Sequence, residues 1–329
     1  MTPQLAGASL REIQRPVAAE LAGVEDELRR IIAADFPRIA EVNEHLLRMK
    51  GKLFRPTLLL LSHQAVGGSD ARAATLAAVV ELIHLATLVH DDSVDHSARR
   101  RGMPTVNALF SHQVAVIMGD YLYSRAIIEL VGLGDPEPLR IFARVTNDMT
   151  VGEMRELEAH DKLAFDEADY DALIRAKTAS LLSGACEVGA RQAPPRQREA
   201  LARFGLALGR AFQITDDLLD YTEPEAVTGK PSGLDLKEHK VTLPLIAALP
   251  RLAAEERQVV ARLMATAAPS DAQVAQVIHM VEAAGGLENA SRRALDLAQR
   301  AEAELAALPA STARESLRDS IAYAVERRS

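Results

Sequence analysis

The chain has 329 residues, of which 48% are apolar, and its 38 basic and 46 acidic side chains leave a formal net charge of −8. The negative charge without a basic tail argues against nucleic acid as a partner and against electrostatic attachment to an anionic membrane. The single cysteine, Cys186, excludes an intrachain disulfide and fits the reducing cytoplasm. We expect neither a leader peptide nor a transmembrane segment, because no charged-then-apolar start and no long uninterrupted apolar run occurs.

Apolar residues recur with a period of about 3.6 along most of the chain, which predicts helices and no strands. The predicted helices, separated by Pro and Gly breakers, cover residues 9–33, 38–49, 55–66, 71–91, 105–132, 138–160, 167–192, 197–221, 241–249, 254–267, 271–284, 287–306 and 311–327. Ser270 and Gly285 mark the start and stop of one helix. Gly205 and Gly209, four residues apart, predict a close helix contact. With no Ser- or Gly-rich linker, the sequence predicts an all-α, single-domain helical bundle over residues 1–329.

Two aspartate clusters each close an apolar helical segment, DDSVD at 91–95 and DDLLD at 216–220. Positions four residues apart share a helix face, so Asp91 points the same way as Asp95, and Asp216 the same way as Asp220. Carboxylates gathered where solvent is scarce repel one another and must be neutralised. Mg²⁺ is typically bound by one or two carboxylates together with phosphate oxygens. The two clusters therefore predict a metal–diphosphate site between facing helices of one bundle.

Basic residues flank both clusters along the sequence. They are Lys52 and Arg55 before the first cluster, RRR at 99–101 after it, and Lys230 and Lys240 after the second. Arginine binds phosphate oxygens bidentately, and lysine acts as a mobile point charge. The pattern predicts two polyanions, one held through metal and one held directly by basic side chains.

Six sequence elements, taken in order, carry a resemblance to a known family. They are GKLFRP at 51–56, DDSVDHSARRRG at 91–102, Gly119-Asp120, Lys177-Thr178, FQITDDLLD at 212–220 and GKPSGLDLKEHKVTLP at 229–244. The chain resembles the trans-polyprenyl diphosphate synthases, most closely the medium- and long-chain members of the octaprenyl type. This resemblance implies an isoprenoid-synthase bundle with a central active-site cavity. It also implies condensation of isopentenyl diphosphate with an allylic diphosphate, by a cytoplasmic homodimer that packs long helices, including 105–132, across a two-fold axis.

The resemblance further implies roles for individual residues. The residues matched to binding of Mg²⁺, with three ions per active site, are Asp91, Asp95, Asp216 and Asp220. Those matched to the allylic diphosphate are Arg100, Lys177, Lys230 and Lys240. Those matched to isopentenyl diphosphate are Lys52, Arg55, His84 and Arg101, and further substrate contacts fall to Thr178 and Gln213. The released diphosphate is the expected base, because no side chain is obviously placed for that task.

The sequence departs from the family pattern in two places. His239 stands where the family has Gly before its last active-site lysine, and Arg99 adds a third arginine to the customary pair. No acidic or basic position of the pattern is missing, which weighs against a non-catalytic scaffold subunit of a heteromeric synthase. A His-Asp metal phosphohydrolase, indicated by His84 and His90-Asp91, would leave the second aspartate cluster idle. A terpene cyclase would lack a second DDxxD and a pocket for isopentenyl diphosphate.

Helix geometry bears on the length of the product. A rise of 1.5 Å per residue places Ala86, five residues before Asp91, about 7.5 Å deeper than the metal site. Family members with short products carry a bulky aromatic at this position or the next, whereas this chain has Ala86 and Thr87. We therefore expect a floor formed deeper, by Ile127 and Ile128, and a product longer than C20. The alternative is a short-chain farnesyl or geranylgeranyl diphosphate synthase.

Overall fold

The computed structural model describes residues 8–49, 51–159, 163–222 and 233–326, and they form a helical bundle as predicted. Its α-helices are α1 Leu10–Gln14, α2 Ala18–Ile32, α3 Pro37–Arg48, α4 Phe54–Ala65, α5 Ala73–Val94, α6 Val106–Leu109, α7 His112–Gly132, α8 Pro136–Ala159, α9 Glu167–Ile174, α10 Ser180–Gly189, α11 Pro195–Thr222, α12 Leu234–Lys237, α13 Leu243–Ala248, α14 Ala254–Met264, α15 Asp271–Ala283, α16 Gly286–Glu304 and α17 Thr312–Val325. A π-helical segment, Arg175–Ala179, joins α9 to α10. The 3₁₀ turns are Arg15–Val17, Leu249–Arg251 and Leu305–Ala307.

A two-stranded hairpin is present, although the sequence analysis expected no strands. Strand β1, Arg99–Arg100, pairs antiparallel with β2, Met103–Pro104. The two residues of the turn, Arg101 and Gly102, have φ values of 51° and 77°. Positive φ at both central residues is typical of a type I′ turn, which matches the twist of a hairpin. Strands of two residues are too short to show alternation, so periodicity gave no signal for them.

Several predicted helices are divided in the structure, and two of the divisions have a clear local cause. Predicted helix 9–33 is interrupted by a 3₁₀ turn at Pro16, which has no N–H for the helical hydrogen bond. Predicted helix 105–132 is split because the hydroxyl of Ser111 accepts a bond from the Val114 N–H and starts α7 anew. The start predicted at Ser270 is confirmed by its capping box.

The long helices α5 and α11 form the centre of the bundle. Helix α5 packs against α2, α4 and α7, and α11 packs against α10 and α16. The close contact predicted at Gly205 and Gly209 is confirmed. A Cβ on Gly205 would lie 2.6 Å from the carbonyl oxygen of Leu182, and one on Gly209 would lie 2.6 Å from Cα of Ala179. The missing side chains therefore let α11 lie directly against the π-helical segment and α10.

Helix α5 is the one helix in the described ranges that is long and apolar enough to cross a membrane. Within the folded chain, 56% of its most apolar window is buried. Its packing against α2, α4 and α7 is that of a core helix in a bundle.

Candidate active site

A cavity of about 1730 Å³ lies between the C-terminal ends of α5 and α11. Its wall also includes parts of α7, α8, α9, the π-helical segment and the stretch from α12 to α13. Asp91 and Asp95 line it from α5, and Asp216 and Asp220 line it from α11. Two clusters far apart in the sequence thus border the same space.

In the first cluster, the carboxylates that line the cavity differ in exposure. Asp95 is exposed at the C-cap of α5, whereas Asp91 is half-buried. Burial raises the pKa of Asp91 to about 7, with Lys177 opposing the increase and Glu153 adding to it. This carboxylate is costly to ionise because the surrounding cations do not compensate for its desolvation. A divalent cation would supply the missing positive charge.

The middle aspartate of the first cluster has a separate role. Buried Asp92 accepts hydrogen bonds from Nε of Arg100 at both carboxylate oxygens, at 2.8 and 2.9 Å. This ion pair ties the hairpin to the end of α5. It holds Arg100 in the lining of the cavity.

The second cluster contains a hydrogen-bonded chain of four side chains. The hydroxyl of Thr178 donates to Oε1 of Gln213 at 2.8 Å, and Nε2 of Gln213 donates to Asp217 at 2.9 Å. The hydroxyl of buried Tyr170 donates to the other oxygen of Asp217 at 2.5 Å. Burial raises the pKa of Asp217 to about 7, although both of its hydrogen bonds oppose the increase. Thr178 and Gln213, both predicted to contact substrate, lie together in the cavity wall. Tyr170 also lines the cavity, but it belongs to no sequence motif and was not predicted.

Asp220 is bonded to the backbone that follows the second cluster. One of its carboxylate oxygens accepts from the N–H of Leu234 and the other from the N–H of Asp235, both at 3.1 Å. Asp220 thereby positions the start of α12. Burial raises the pKa of Asp235, and Asp217 and Asp220 add to the increase. Asp235 belongs to neither aspartate cluster of the sequence, and its carboxylate joins the site only through this fold.

Of the three lysines matched to the allylic diphosphate, Lys177 and Lys240 face the cavity, and Lys230 lies outside the described residues. Lys177 projects from the π-helical segment and pairs with carboxylates of α8. Lys240 pairs with Glu238 at 2.9 Å. Its neighbour His239 has a φ of 58°. In this left-handed region glycine has no steric penalty, which explains why the family has Gly at the position.

Basic residues from three elements meet in another part of the lining: Arg55 of α4, His84 of α5 and Arg101 of the hairpin. Burial lowers the pKa of Arg55 to about 10, with Glu81 opposing the change. Its buried Nε has no hydrogen-bond partner in the part of the chain that the structure describes. Burial also lowers the pKa of His84, and Arg55 and Arg101 add to that effect. Lys52, predicted to join this set, is exposed and lies outside the cavity lining.

The residues expected to set product length are only partly in the lining. Ala86 and Thr87 line the cavity, as predicted from helix geometry. Ile127 and Ile128 do not, and they are 37% and 55% exposed, so the predicted floor is wrong. Ala126 of α7 is fully buried, and each further residue turns about 100° away from that direction. Tyr123 of the same helix lines the cavity instead.

The described residues include no group of three or more His, Cys, Asp or Glu side chains close enough to hold a metal ion by themselves. The cavity nevertheless presents the carboxylates of Asp91, Asp95 and Asp216. A divalent cation between them would need additional oxygen ligands, of the kind that a diphosphate or water supplies.

Comparison with known proteins places this geometry in a family. Residues 36–281 match the family described as polyprenyl synthetase. An all-trans-nonaprenyl-diphosphate synthase (geranyl-diphosphate specific) from Rhodobacter capsulatus is 39% identical over 319 residues, 96% of this chain and 98% of that protein. A short chain isoprenyl diphosphate synthase from Methanothermobacter thermautotrophicus is 36% identical over 311 residues, 92% of this chain and 95% of that protein.

A solved structure shares the whole architecture. The crystal structure of a polyprenyl synthase from Caulobacter crescentus, complexed with calcium and isoprenyl diphosphate, matches with a TM-score of 0.94 and 34% identity. The match covers 99% of this chain and 100% of that chain. The sequence matches and the shared fold together show that this chain belongs to the polyprenyl synthetase family.

Proposed function

We propose that the protein is a Mg²⁺-dependent trans-prenyltransferase that condenses isopentenyl diphosphate with an allylic diphosphate into a polyprenyl diphosphate longer than C20. The observation that carries the proposal is one cavity bordered by two aspartate clusters and two separate sets of basic side chains. The aspartates suit a diphosphate held through metal, and the set around Arg55 suits a second diphosphate held directly. An enzyme with a single diphosphate substrate would have no use for the second set.

The donor set fits a hard divalent cation. Every candidate ligand is a carboxylate oxygen, and burial of Asp91 without enough positive charge nearby favours a cation at this point. We propose three Mg²⁺ ions per active site, held by Asp91, Asp95 and Asp216 with Asp220 at the edge of the set. When bound, Mg²⁺ would neutralise the charge that develops on the departing diphosphate.

The side chains of this protein divide the remaining work between two substrates. The C–O bond of the allylic diphosphate breaks, the double bond of isopentenyl diphosphate forms a C–C bond with the allylic carbon, and a proton leaves to the released diphosphate. The groups proposed to hold the departing diphosphate are Arg100, Lys177, Lys230 and Lys240. Those proposed to hold isopentenyl diphosphate are Arg55, His84 and Arg101 in the cavity lining, with Lys52 acting from outside it. Thr178 and Gln213 are proposed to face the reacting carbons, where water must be excluded.

Product length is supported by the small residues at Ala86 and Thr87 and by the nonaprenyl relative. The short-chain relative is almost as similar to this chain, so overall identity does not decide between long and short products. The small side chains of Ala86 and Thr87 in the cavity lining carry this part of the proposal. We further propose that residues 1–329 act as one domain, in the cytoplasm, as a homodimer.

The proposal is tested by incubating the purified protein with isopentenyl diphosphate, Mg²⁺ and allylic primers of increasing length, and then sizing the products. We expect products longer than C20 and loss of turnover in excess chelator. Asp91→Ala and Asp216→Ala should lower turnover by orders of magnitude, because removal of one charge-stabilising group typically costs about 3–4 kcal/mol in the transition state. Asp26→Ala, a change at an exposed site on α2, is the matched control.

Two outcomes would contradict this proposal in different ways. Products of C20 or shorter from every primer would show that the length assignment is wrong. Near wild-type turnover by Asp91→Ala, with the same melting temperature, would show that the first cluster does not hold the metal.

A further inference from the structure

Two glutamates of α8, Glu153 and Glu156, lie in the cavity wall beside Lys177. They belong to neither aspartate cluster and to none of the six sequence elements that carry the family resemblance. Nζ of Lys177 lies 2.8 Å from Oε2 of Glu153 and also contacts Oε2 of Glu156. The three side chains are only 26%, 23% and 19% exposed, so water screens these ion pairs weakly.

Backbone packing fixes this contact. A Cβ on Gly152 would lie 2.6 Å from the backbone nitrogen of Lys177 and 2.9 Å from its Cα. Helix α8 therefore touches the π-helical segment through main-chain atoms, immediately beside Glu153. The close packing of α8 on the π-helical segment therefore brings the ammonium and the two carboxylates together, and the flexible side chains complete the contact.

The two carboxylates place negative charge next to a site whose proposed substrate is an anion. Burial would lower the pKa of Lys177, but Glu156, Asp91 and Glu153 outweigh burial and raise it, so Lys177 is a cation in the free protein. Glu156 also contributes to the raised pKa of Lys240. A diphosphate that binds both lysines must displace these carboxylates or remain beside them.

Resting on the proposed function, we propose that Glu153 and Glu156 are positioning residues that hold Lys177 between turnovers and compete with the diphosphate for it. Binding energy that is equal for substrate, transition state and product does not accelerate the chemical step. A lysine whose only partner was the diphosphate would hold the released product as firmly as the substrate. Competition from the two carboxylates lowers the affinity for the product and lets it leave.

The test is a calorimetric titration of inorganic diphosphate, with Mg²⁺ present, into the wild-type protein and the Glu156→Gln variant. Glutamine keeps the size of the side chain and removes its charge, so diphosphate should bind about tenfold more tightly, a change of about 1.4 kcal/mol. Glu158→Gln, at an exposed position two residues further along α8, should stay within twofold of wild type. Equal or weaker binding by Glu156→Gln would overturn the proposal.

A second background shows whether the effect acts through the lysine. In a Lys177→Met protein, Glu156→Gln should increase the affinity for diphosphate much less, because the ammonium for which glutamate and diphosphate compete is absent. An equal gain in both backgrounds would show that Glu156 merely repels the anion, which also overturns the proposal. Glu153→Gln provides a second variant if Glu156→Gln melts at a lower temperature than wild type.

These titrations contain no prenyl substrate, so they are separate from the test of the proposed function. Absence of condensation together with tighter diphosphate binding by Glu156→Gln would refute the proposed reaction alone. Normal condensation together with unchanged diphosphate binding would refute the competition alone. In an active enzyme, inhibition by added diphosphate should likewise appear at about tenfold lower concentration in Glu156→Gln.

Discussion

At the scale of single residues, burial makes the charged forms of several side chains in the site unfavourable. Near the hairpin, burial lowers the pKa of Arg55 and of His84, and it raises that of Glu81. Each shift means that the charged form is less stable here than in water. Charges assembled for anion binding therefore reduce the stability of the free protein, a common property of functional sites.

We predict that His84 makes the protein sensitive to acid. Its folded-state pKa lies well below 6.5, so below about pH 6.5 the unfolded chain binds a proton that the folded chain does not. Stability is then unaffected above this pH and falls as the pH decreases through it. Between pH 7.5 and 5.5, His84 alone should lower the free energy of unfolding by at most about 1.4 kcal/mol. Urea unfolding at both pH values measures this loss, and His84→Gln should remove it.

This experiment has a control variant, and a second histidine contributes to the loss of stability in acid. His279→Gln, at an exposed position on α15, should keep the full loss of stability in acid. The pKa of His63 is also lowered by burial, so some acid sensitivity will remain in the His84 variant. A His84→Gln protein that loses as much stability as wild type would show that His84 takes up its proton in the folded state.

Between elements, the antiparallel packing of α5 and α7 sets the depth of the cavity. Ser93 near the end of α5 lies 3.1 Å from His112 at the start of α7, and Arg72 just before α5 donates to the carbonyl of Leu133 just after α7. A Cβ on Gly119 would meet the ring of His90. Tyr123, one turn further along α7, therefore lies deeper in the cavity than Gly119.

We predict that Tyr123 limits the product. Its hydroxyl lies 2.8 Å from that of Thr146 on α8, so the aromatic ring is held between two helices. Tyr123→Ala should open the cavity and lengthen the product by one or more isoprene units. Ala86→Phe should shorten it to C15 or C20 with activity retained. Product sizing by chromatography measures both changes.

Ile127→Ala is the matched control, because this residue lies on the same helix outside the cavity lining. Its product should be unchanged. A longer product from Ile127→Ala, with no change in Tyr123→Ala, would restore the floor first expected from the sequence and exclude the one inferred from the structure.

The whole molecule leaves one apolar face of α7 uncovered. The exposed apolar residues of this face are Val116, Ile117, Ile127, Ile128 and Val131, and exposed Asp120 and Ser124 lie between them. Their spacing places them along one stripe of the helix. Large exposed apolar patches are typical of protein–protein interfaces. This face supports the proposed homodimer and gives Ile127 and Ile128 a role outside the cavity.

We predict that the protein sediments as a dimer and that Ile128→Lys shifts it toward the monomer. A lysine at this face would bring like charges together across a two-fold axis and remove apolar burial. Leu295→Lys, at an exposed apolar position on α16, should leave the dimer intact. Sedimentation equilibrium distinguishes the two states. A monomeric wild-type protein, or a dimeric Ile128→Lys variant, would contradict the assignment.

Local patterns were sufficient to predict the class of fold and the cavity-lining aspartates. The 3.6-residue period predicts helices because each turn of a helix repeats the same contact with the core. The spacing within DDSVD and DDLLD likewise determines which carboxylates share a face. The hairpin at Arg99–Pro104 was missed because its two-residue strands have no period.

The sequence by itself therefore determined an all-α bundle, the family resemblance and the candidate ligands Asp91 and Asp216, since these depend on neighbours within a few residues. Only the tertiary structure decided which side chains these residues contact. Asp217 meets Tyr170, 47 residues away, and Lys177 meets Glu156, 21 residues away. It also showed that Tyr123 lines the cavity, whereas Ile127 and Ile128 do not. Such contacts depend on helix rotation and on close backbone approach at glycines, which become definite only when the helices pack together.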